Sequence, residues 1–349
     1  MSFTERASWL ITGGCGFIGV NLIDHLLKNI PGIRIRILDN LSVGSKDNLL
    51  EVASFTQKEA NSIADRPTGV ELVVGDITDY DTCLSCCRGI NVVVHLAANT
   101  GVAPSVDYPR QDMKANVIGT FNMLEASRHS GVEKFIFASS GASLGEVEPP
   151  IDEEKVARPV SPYGASKLAG EGYCSAYFRT FGLKTISLRF GNVYGPRSKN
   201  KESVVAKFIK KALSGEVLEI YGDGEQTRDF IYIDDLVQAI MLSAKADIGG
   251  EVFQIATHNE TTINELVKII SMLVNESVDK ETRVKHVSAR PGDVKRNFSD
   301  ISKARKLLGY KPAFDLDAGL RITFEYFAQF KQEQIASSLL ICHSYRAAE

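Results

Sequence analysis

Short apolar runs alternate with longer helical patterns through the first half of the chain. The runs are rich in β-branched residues and apolar at odd and even positions alike, which is typical of strands covered on both faces of a parallel sheet. Strands are predicted at residues 8–12, 33–39, 71–75, 92–96, 134–139 and 184–190. Helices are predicted between them, at residues 19–30, 79–89, 116–131 and 162–181. Repeated β-α-β units predict an α/β fold with a Rossmann-type, doubly wound parallel sheet.

The pattern changes after residue 190, where this regular alternation ends. The later segments are loops at 191–196 and 222–229, helices at 203–213, 233–246, 263–274 and 301–308, and a strand at 251–256. We therefore predict an N-terminal domain over residues 1–190, with a return segment near 229–257, and a smaller mixed α/β C-terminal domain over 191–349. No clear element follows about residue 331, and we expect loose order there.

Bulk composition narrows the classes of function. A length of 349 residues suggests about two domains. The formal net charge of −3 and the pI of about 6.1 do not indicate a nucleic-acid or anionic-membrane binder, so neither partner is expected. We expect no membrane span, because no run of about 18 apolar residues occurs. We expect cytoplasmic residence, because the start of the chain lacks a signal-peptide profile.

The cysteines predict reduced thiols and no metal. Cys83, Cys86 and Cys87 have one zinc-like spacing, but no second cysteine pair or histidine pair matches it. Reduced cysteines are typical of a cytoplasmic protein. The remaining cysteines are Cys15, Cys174 and Cys342.

A glycine-rich loop follows the first predicted strand and leads into a helix. Its spacing is Gly13-x-x-Gly16-x-x-Gly19, with Phe17 and Ile18 between the last two glycines. Glycines let the backbone turn tightly and approach a pyrophosphate, and a helix N-terminus presents N–H groups to the anion. The pattern predicts a dinucleotide-binding loop.

The ends of later strands add candidate cofactor contacts. Asp39 ends the second strand about 20 residues after the loop, where a carboxylate accepts hydrogen bonds from ribose hydroxyls and repels a 2′-phosphate. NAD is therefore favoured over NADP. Arg34 and Arg36 precede the strand end, and we interpret them as solvent-facing, with a contact to NADP as the weaker alternative. Further candidates follow the third and fourth strands: Asp76, Ile77, Leu96, Ala97 and Ala98.

A tyrosine and a lysine four residues apart supply candidate acid–base chemistry. Tyr163 and Lys167 fall on one face of a predicted helix. A free tyrosine has a pKa of about 10, and a neighbouring ammonium and the positive nicotinamide of the oxidised cofactor favour the phenolate. Tyr163 is therefore a candidate general base, with Ser140 placed to hydrogen-bond the same substrate oxygen. A chance pair on a helix surface is the competing interpretation.

Taken together, these motifs resemble the extended short-chain dehydrogenase/reductase family and, more narrowly, the nucleotide-sugar epimerases of the UDP-galactose 4-epimerase type. The resemblance covers roughly residues 7–328. The segments on which it depends are the glycine loop, Leu38-Asp39-Asn40, Gly75-Asp76-Ile77, His95-Leu96-Ala97-Ala98, Asn116-Val117-x-Gly119-Thr120, Ser139-Ser140, Ser161-Pro162-Tyr163-Gly164-x-Ser166-Lys167, Asn192-Val193-Tyr194-Gly195-Pro196 and the run 222–232.

The resemblance implies roles at matching positions. Ser140, Tyr163 and Lys167 match the catalytic triad, Asn116 matches the residue that supports the lysine, and Asn40 falls in a cofactor-binding motif. The resemblance also implies NAD as the cofactor and a UDP-sugar as the substrate. It further implies a homodimer built from the third and fourth predicted helices.

Substrate contacts are implied as well. Asn192, Arg228, Arg290 and Asp293 match residues that hold the nucleotide diphosphate, and forked arginine donors suit that ligand. Asn297 falls where a bulky tyrosine in some members blocks N-acetylated sugars. The smaller asparagine favours a pocket that accepts UDP-N-acetylhexosamine as well as UDP-hexose, although a purely local hydrogen-bonding role is nearly as well supported.

The two residues after the catalytic hydroxyl separate the relatives. Sugar 4,6-dehydratases have Asp-Glu there and UDP-glucuronate decarboxylases have a Glu at the second position, whereas this chain has Gly141 and Ala142. Neither moves a proton, which favours a 4-epimerase that oxidises C4 and returns the hydride to the opposite face. UDP-glucuronate 4-epimerisation stays open, because the segment Ala97-Ala98-x-x-Gly101-Val102 also resembles uronate-handling relatives. Another dehydratase or reductase and a non-catalytic NAD-binding sensor are the further alternatives.

Two departures from the family pattern bear on specificity. Leu144 replaces a tyrosine that relatives have at the mouth of the site. The segment after Arg197 is short and basic, with Lys199 and Lys201, and we expect it to alter the lid over the nucleotide.

Overall fold

The computed structural model describes residues 7–278, 281–289 and 294–346 of the chain. Its strands are β1 (Ser8–Thr12), β2 (Arg34–Asp39), β3 (Thr56–Lys58), β4 (Val70–Val74), β5 (Val92–His95), β6 (Lys134–Ser140), β7 (Lys184–Phe190), β8 (Asn192–Tyr194), β9 (Leu218–Tyr221), β10 (Thr227–Arg228), β11 (Phe230–Tyr232), β12 (Glu251–Ile255), β13 (Thr261–Thr262) and β14 (Val284–Val287). Within the described residues, eight parallel strands form the central sheet in the order β12-β7-β6-β5-β1-β2-β4-β3.

Strand order reverses at the middle of this sheet. β1 pairs with β2 on one side and with β5 on the other, in parallel on both. Such a reversal opens a crevice at the carboxyl ends of the strands, where doubly wound sheets bind their ligands. The predicted Rossmann-type sheet is therefore confirmed, and the predicted glycine loop leaves β1 at the reversal.

Helices connect the strands and cover both faces of the sheet. They are α1 (Phe17–Asn29), α2 (Lys46–Leu50), α3 (Tyr80–Cys87), α4 (Val102–Asp107), α5 (Pro109–Met113), α6 (Gly119–His129), α7 (Pro162–Phe181), α8 (Val204–Leu213), α9 (Ile233–Lys245), α10 (Ile263–Val278), α11 (Ser302–Leu308) and α12 (Leu316–Arg346). Every predicted strand and helix is present, with ends shifted by a few residues. Several short elements are not predicted, because each is too short to show a period: β3, β8, β9, β10, β11, β13, β14, α2, α4 and α5. Of these, β8 and β10 lie within the segments 191–196 and 222–229 that are predicted as loops.

The C-terminal part adds small sheets to this frame. In the described residues β8 pairs with β11, β9 with β14 and β10 with β13, while β12 extends the central sheet beside β7. The domain boundary near residue 190 stays a prediction. The absence of an element after about residue 331 is wrong: α12 continues to Arg346. No glycine or proline interrupts residues 320–346, and adding residues to an existing helix is easier than starting one.

The interpretation of Arg36 as solvent-facing is wrong. Its side chain is fully buried, with hydrogen bonds to Glu71 and to the carbonyl oxygens of Ala64, Cys86 and Arg88. β2 is covered on both faces, so a charged residue there must find internal partners. Arg36 therefore holds the loops around β4 together and is not accessible to a cofactor phosphate.

The cysteines with described side chains are free and buried, and burial raises the pKa of each thiol. Cys342 lies outside the residues whose side chains the structure describes. Over the described ranges, no group of three or more His, Cys, Asp or Glu side chains is placed to hold a metal ion. None of the helices, as far as they are described, has the length and apolar character needed to cross a membrane.

Candidate active site

The glycine loop is packed so closely that two of its glycines admit no side chain. A Cβ on Gly13, whose φ is +69°, would lie 2.8 Å from the backbone nitrogen of Ala97. A Cβ on Gly19 would lie 2.5 Å from Cα of Gly14. The loop thus brings β1, α1 and the end of β5 to backbone-contact distance. A tight turn and close helix–strand packing are what a dinucleotide-binding loop requires of its glycines.

α1 begins directly after this loop. Gly16 occupies the N-cap position without a side-chain hydrogen bond, and among the described residues the first turn of α1 contains no acidic side chain. The first N–H groups of a helix have no partner within it. Phe17 and Ile18 therefore begin a helix whose N-terminus favours a bound anion.

Asp39, at the end of β2, braces the glycine loop. Its carboxylate accepts hydrogen bonds from the backbone N–H groups of Cys15, at 2.9 Å, and Leu41, at 2.8 Å. Burial raises the pKa of Asp39, and these two donors oppose the rise. The carboxylate is thereby fixed beside the loop, and its contact to a ribose stays a prediction.

Asn40 and Asp76 meet at the same edge of the sheet. The Asn40 amide donates to Oδ2 of Asp76 at 2.9 Å. Burial acts to raise the pKa of Asp76, but hydrogen bonds from Thr78 and Asn40 outweigh it, so the pKa is lowered. Asp76 is therefore a charged acceptor next to the end of β2.

The end of β5 is tied to β1 through Thr12. The Leu96 N–H donates to the Thr12 carbonyl and the Ala97 N–H donates to its hydroxyl, both at 3.1 Å. His95 Nδ1 lies 2.8 Å from the same hydroxyl, and burial lowers the pKa of His95 to about 3. The ring is therefore neutral and fully engaged at the strand end. The remaining cofactor candidates at this edge are Ile77 and Ala98.

The start of α7 packs against the turn that follows β6, and this contact brings Tyr163 to Ser140. Ser161 caps the helix by accepting a hydrogen bond from the Gly164 N–H at 3.1 Å. A Cβ on Gly164 would lie 2.2 Å from the carbonyl oxygen of Ala142, so the close approach requires glycine. A hydrogen bond links the side chains of Tyr163 and Ser140.

Lys167 is buried one helical turn from Tyr163. Its Nζ donates to the Ala138 carbonyl at 2.8 Å and lies 5.8 Å from the centre of the Tyr163 ring. Burial lowers the pKa of Lys167 to about 8, while Asp112 opposes the shift. Burial raises the pKa of Tyr163, Ser140 opposes this and Asp112 adds to it. The expected lowering of the tyrosine pKa by its lysine is therefore not seen: burial dominates, and the side chains that shift this pKa are Ser140 and Asp112.

Asn116 links the cofactor edge to the catalytic helix. It lies in a π-helical turn, Lys114–Ile118, and pairs with both backbone groups of Asn99, at 2.7 Å and 2.9 Å. Its amide nitrogen also donates to Asp112, at 2.9 Å, and to Ser166, at 3.1 Å. Asn116 thus holds the loop after β5 against α7, and no direct bond to the lysine is present in the described structure.

A buried ion pair behind Ser140 is absent from the predictions. Glu171 pairs with Arg189 through two hydrogen bonds, at 2.9 Å and 2.7 Å. The same carboxylate accepts from Ser139 at 2.5 Å and Ser143 at 3.0 Å, on both sides of Ser140. The available signal is that Glu171 lies four residues after Lys167, but its partners are distant in sequence.

Three of the predicted substrate residues, Asn192, Arg228 and Asn297, lie around one short strand, β10. The Asn192 N–H bonds to the backbone at Asp229, at 2.8 Å, next to Arg228. The Arg228 guanidinium donates to the Val294 carbonyl at 2.8 Å, and the Asn297 N–H donates to the Thr227 hydroxyl at 3.3 Å. Arg290 and Asp293 lie outside the described residues.

Leu144 does not reach the mouth of the site. Its side chain is fully buried, in contrast to the mouth position expected for the tyrosine it replaces. The Leu144 carbonyl accepts from the Arg158 N–H at 2.9 Å, which fixes the backbone of the turn after Ser140. An apolar side chain at this point turns into the core, so position 144 does not set specificity directly.

Comparison with known proteins agrees with this geometry. Over residues 10–323 the chain matches the protein family described as GDP-mannose 4,6 dehydratase. It is 37% identical over 316 residues to a putative UDP-glucose 4-epimerase of Methanocaldococcus jannaschii, covering 89% of this chain and 95% of that one.

Two solved structures share the fold over nearly the whole chain. The UDP-N-acetylglucosamine 4-epimerase of Methanobrevibacter ruminantium, in complex with UDP-N-acetylmuramic acid, is 33% identical with a TM-score of 0.83, covering 94% of this chain and 99% of that one. The UDP-glucuronic acid 4-epimerase of Bacillus cereus, in complex with UDP-glucuronic acid and NAD, is 31% identical with a TM-score of 0.81, covering 93% and 99%.

Proposed function

The chain belongs to the extended short-chain dehydrogenase/reductase family, and from that premise we propose that it is a UDP-sugar 4-epimerase. It is an NAD-dependent enzyme of the nucleotide-sugar epimerase group. The observation on which the proposal depends is that Tyr163, Ser140 and Lys167 meet beside a turn whose next residues, Gly141 and Ala142, have no acid or base. Eliminating water requires such groups, whereas epimerisation requires only one oxygen to be deprotonated and reprotonated.

The residues divide the chemistry between them. The Tyr163 oxygen takes the proton from the sugar 4-hydroxyl and later returns it, and the Ser140 hydroxyl shares the hydrogen bond to that sugar oxygen. Lys167, which donates to the Ala138 carbonyl, would hold the cofactor ribose next to Tyr163. When bound, NAD would supply the acceptor and donor of the C4 hydride, and its oxidised ring would supply positive charge that favours the phenolate. Gly13, Gly16 and Gly19 would hold its pyrophosphate.

We assign the substrate side to the residues around β10. Arg228 and Asn192 would hold the UDP diphosphate, together with Arg290 and Asp293. Asn297 supports a pocket that accepts UDP-N-acetylglucosamine and UDP-N-acetylgalactosamine as well as UDP-glucose and UDP-galactose.

UDP-glucuronate is the second candidate substrate. It is supported by the likeness to the Bacillus cereus enzyme and by the Gly101-Val102 segment, where Gly101 has a φ of +109° and immediately precedes α4. A positive φ is unusual for the residue that precedes a helix, and it sets the path of the loop between β5 and α4.

An exposed apolar face supports a homodimer. Phe121 on α6 and Tyr173 on α7 stack edge to face, with ring centres 5.5 Å apart, and both are more than a third exposed. Ile118 and Phe181 extend the same surface. Large apolar patches of this kind mark interfaces. Cytoplasmic residence stays a prediction.

Product analysis tests the proposal. The purified protein is incubated without added cofactor with UDP-N-acetylglucosamine, UDP-glucose or UDP-glucuronate, and the sugars are separated. We expect one or more to be converted to the 4-epimer with no net change in nicotinamide absorbance. Loss of water, or a lasting absorbance change, would show a dehydratase or reductase instead.

A further inference from the structure

A short basic segment after β8 is fastened to the helix that begins at the glycine loop. Arg197 donates to the Asn21 side chain at 2.9 Å and pairs with Asp24 at 3.1 Å. The Asn21 amide also donates to the Pro196 carbonyl at 3.3 Å. Asn21 and Asp24 both belong to α1, so the segment packs along the helix at the cofactor edge.

Lys201 differs from the other cations of this segment. Arg197 pairs with Asp24, and Lys199 pairs with Glu51. Lys201 has no carboxylate within 4.0 Å among the described residues. Its Nζ donates to the Val193 carbonyl, at 2.9 Å, and to no other acceptor in the part of the chain that the structure describes. Burial lowers the pKa of Lys201 to about 8, and no acidic group offsets it.

The position of this ammonium connects the two proposed ligand sites. Nζ lies 5.1 Å from the centre of the Phe17 ring, and Phe17 is the first residue of α1. Val193, its hydrogen-bond acceptor, directly follows Asn192, which we assign to the nucleotide diphosphate. Lys201 therefore lies between the helix N-terminus at the cofactor loop and the strand that borders the substrate.

We propose that Lys201 binds a diphosphate, completing the site beneath the short basic segment. A partly buried cation without a counter-ion is unfavourable, and an anion that brings two phosphates supplies the missing charge. An ammonium suits this ligand as a compact point charge with three donors. The diphosphate belongs either to NAD, whose proposed site includes Phe17, or to the nucleotide sugar, whose proposed site borders Val193. If it belongs to the nucleotide sugar, the inference rests on the proposed function.

The test compares Lys201→Gln with Lys199→Gln, which removes a neighbouring charge that already has a carboxylate partner. NAD retained after purification and its dissociation rate report the first source, and titration of the NAD-loaded protein with UDP reports the second. We expect Lys201→Gln to weaken one of the two by about tenfold or more, as for loss of a charge-assisted hydrogen bond. Lys201→Arg should restore most of that affinity.

The outcomes are distinguishable. Equal NAD retention and UDP affinity in Lys201→Gln and Lys199→Gln, with wild-type protein binding both ligands, would overturn the inference and leave the proposed function intact. A wild-type protein that does not bind UDP contradicts the proposed function instead, while the NAD measurement still tests Lys201. Thermal unfolding of both variants without ligand is the check on folding, and a loss confined to Lys201→Gln there would assign the residue a structural role.

Discussion

At the cofactor site the segments are held together by contacts between backbone atoms, whereas at the proposed substrate site side chains connect separate loops. Gly13 reaches Ala97 so closely that a Cβ would lie 2.8 Å from its nitrogen. Across the sheet, the Arg228 guanidinium reaches the Val294 carbonyl at 2.8 Å. The first contact admits one residue type, and the second depends on where a separate loop lies. The two edges therefore differ in how much a local motif reveals about them.

The catalytic pair lies between these edges and shares features of both. Gly164 is required by a backbone contact to Ala142, while Lys167 depends on a side-chain bond to the Ala138 carbonyl. Variants that remove one kind of contact at a time separate their contributions to chemistry, stability and cofactor binding.

The largest expected effect is on turnover. Tyr163→Phe removes the proton acceptor but keeps the ring beside Lys167, so we expect kcat to fall by about 10²–10⁴-fold while NAD stays bound. Product formation and the NAD content of the purified variant are measured together. Tyr173→Phe is the matched control, since it removes a tyrosine hydroxyl from the same helix, more than two turns after Tyr163. Activity in Tyr163→Phe equal to that control would show that another group is the base.

The second effect is on stability. Glu171→Gln leaves Arg189 buried without its counter-charge and weakens the bonds to Ser139 and Ser143, so we expect a loss of about 3–5 kcal/mol. Denaturant unfolding measures it. Glu276→Gln removes an exposed ion pair with Arg321, and its effect should be near the limit of detection. Similar values for both variants would contradict a structural role for the buried pair.

The third effect tests backbone contact at the cofactor edge. Gly19→Ala places a Cβ against the Gly14 backbone, which cannot move without distorting the loop, so we expect a loss of about 1–3 kcal/mol and weaker retention of NAD. Gly172→Ala is also helical, but nothing lies within 4 Å of its Cβ, and it should stabilise the protein by up to about 1 kcal/mol. Equal effects would mean that helix propensity, and not the close approach, governs Gly19.

Local periodicity and spacing were sufficient to predict the individual strands, the glycine loop and the shared helix face of Tyr163 and Lys167, because each depends on residues near one another in the chain. They were insufficient for Arg36, whose burial depends on contacts with Ala64, in the segment before β4, and with Cys86, at the end of α3. The burial of Leu144 could not be predicted from the sequence for the same reason, since it depends on distant elements. The roles that we assign to Lys201 and Asp112 depend on contacts in the folded chain, which no local pattern predicts.

The smallest effect concerns Asp112, one turn before Asn116. Its carboxylate is buried, accepts a hydrogen bond from Asn116 through Oδ1, and its Oδ2 has no partner among the described residues. Burial raises the pKa of Asp112, and Ser166 and Lys167 oppose the rise. The ionised carboxylate in turn raises the pKa of both Tyr163 and Lys167.

Asp112→Asn keeps the acceptor for Asn116 and removes only the charge, so the pKa of Tyr163 should fall. The base must be deprotonated to act, and the acid limb of the kcat–pH profile should therefore move to lower pH. Glu171 and His95 are unchanged in the variant and do not contribute to the difference. An unmoved profile with lower kcat would mean that Asp112 is neutral at working pH and acts only through Asn116. The shift of the acid limb therefore decides whether Asp112, which no motif predicts, controls the protonation of Tyr163 and Lys167 or only their position.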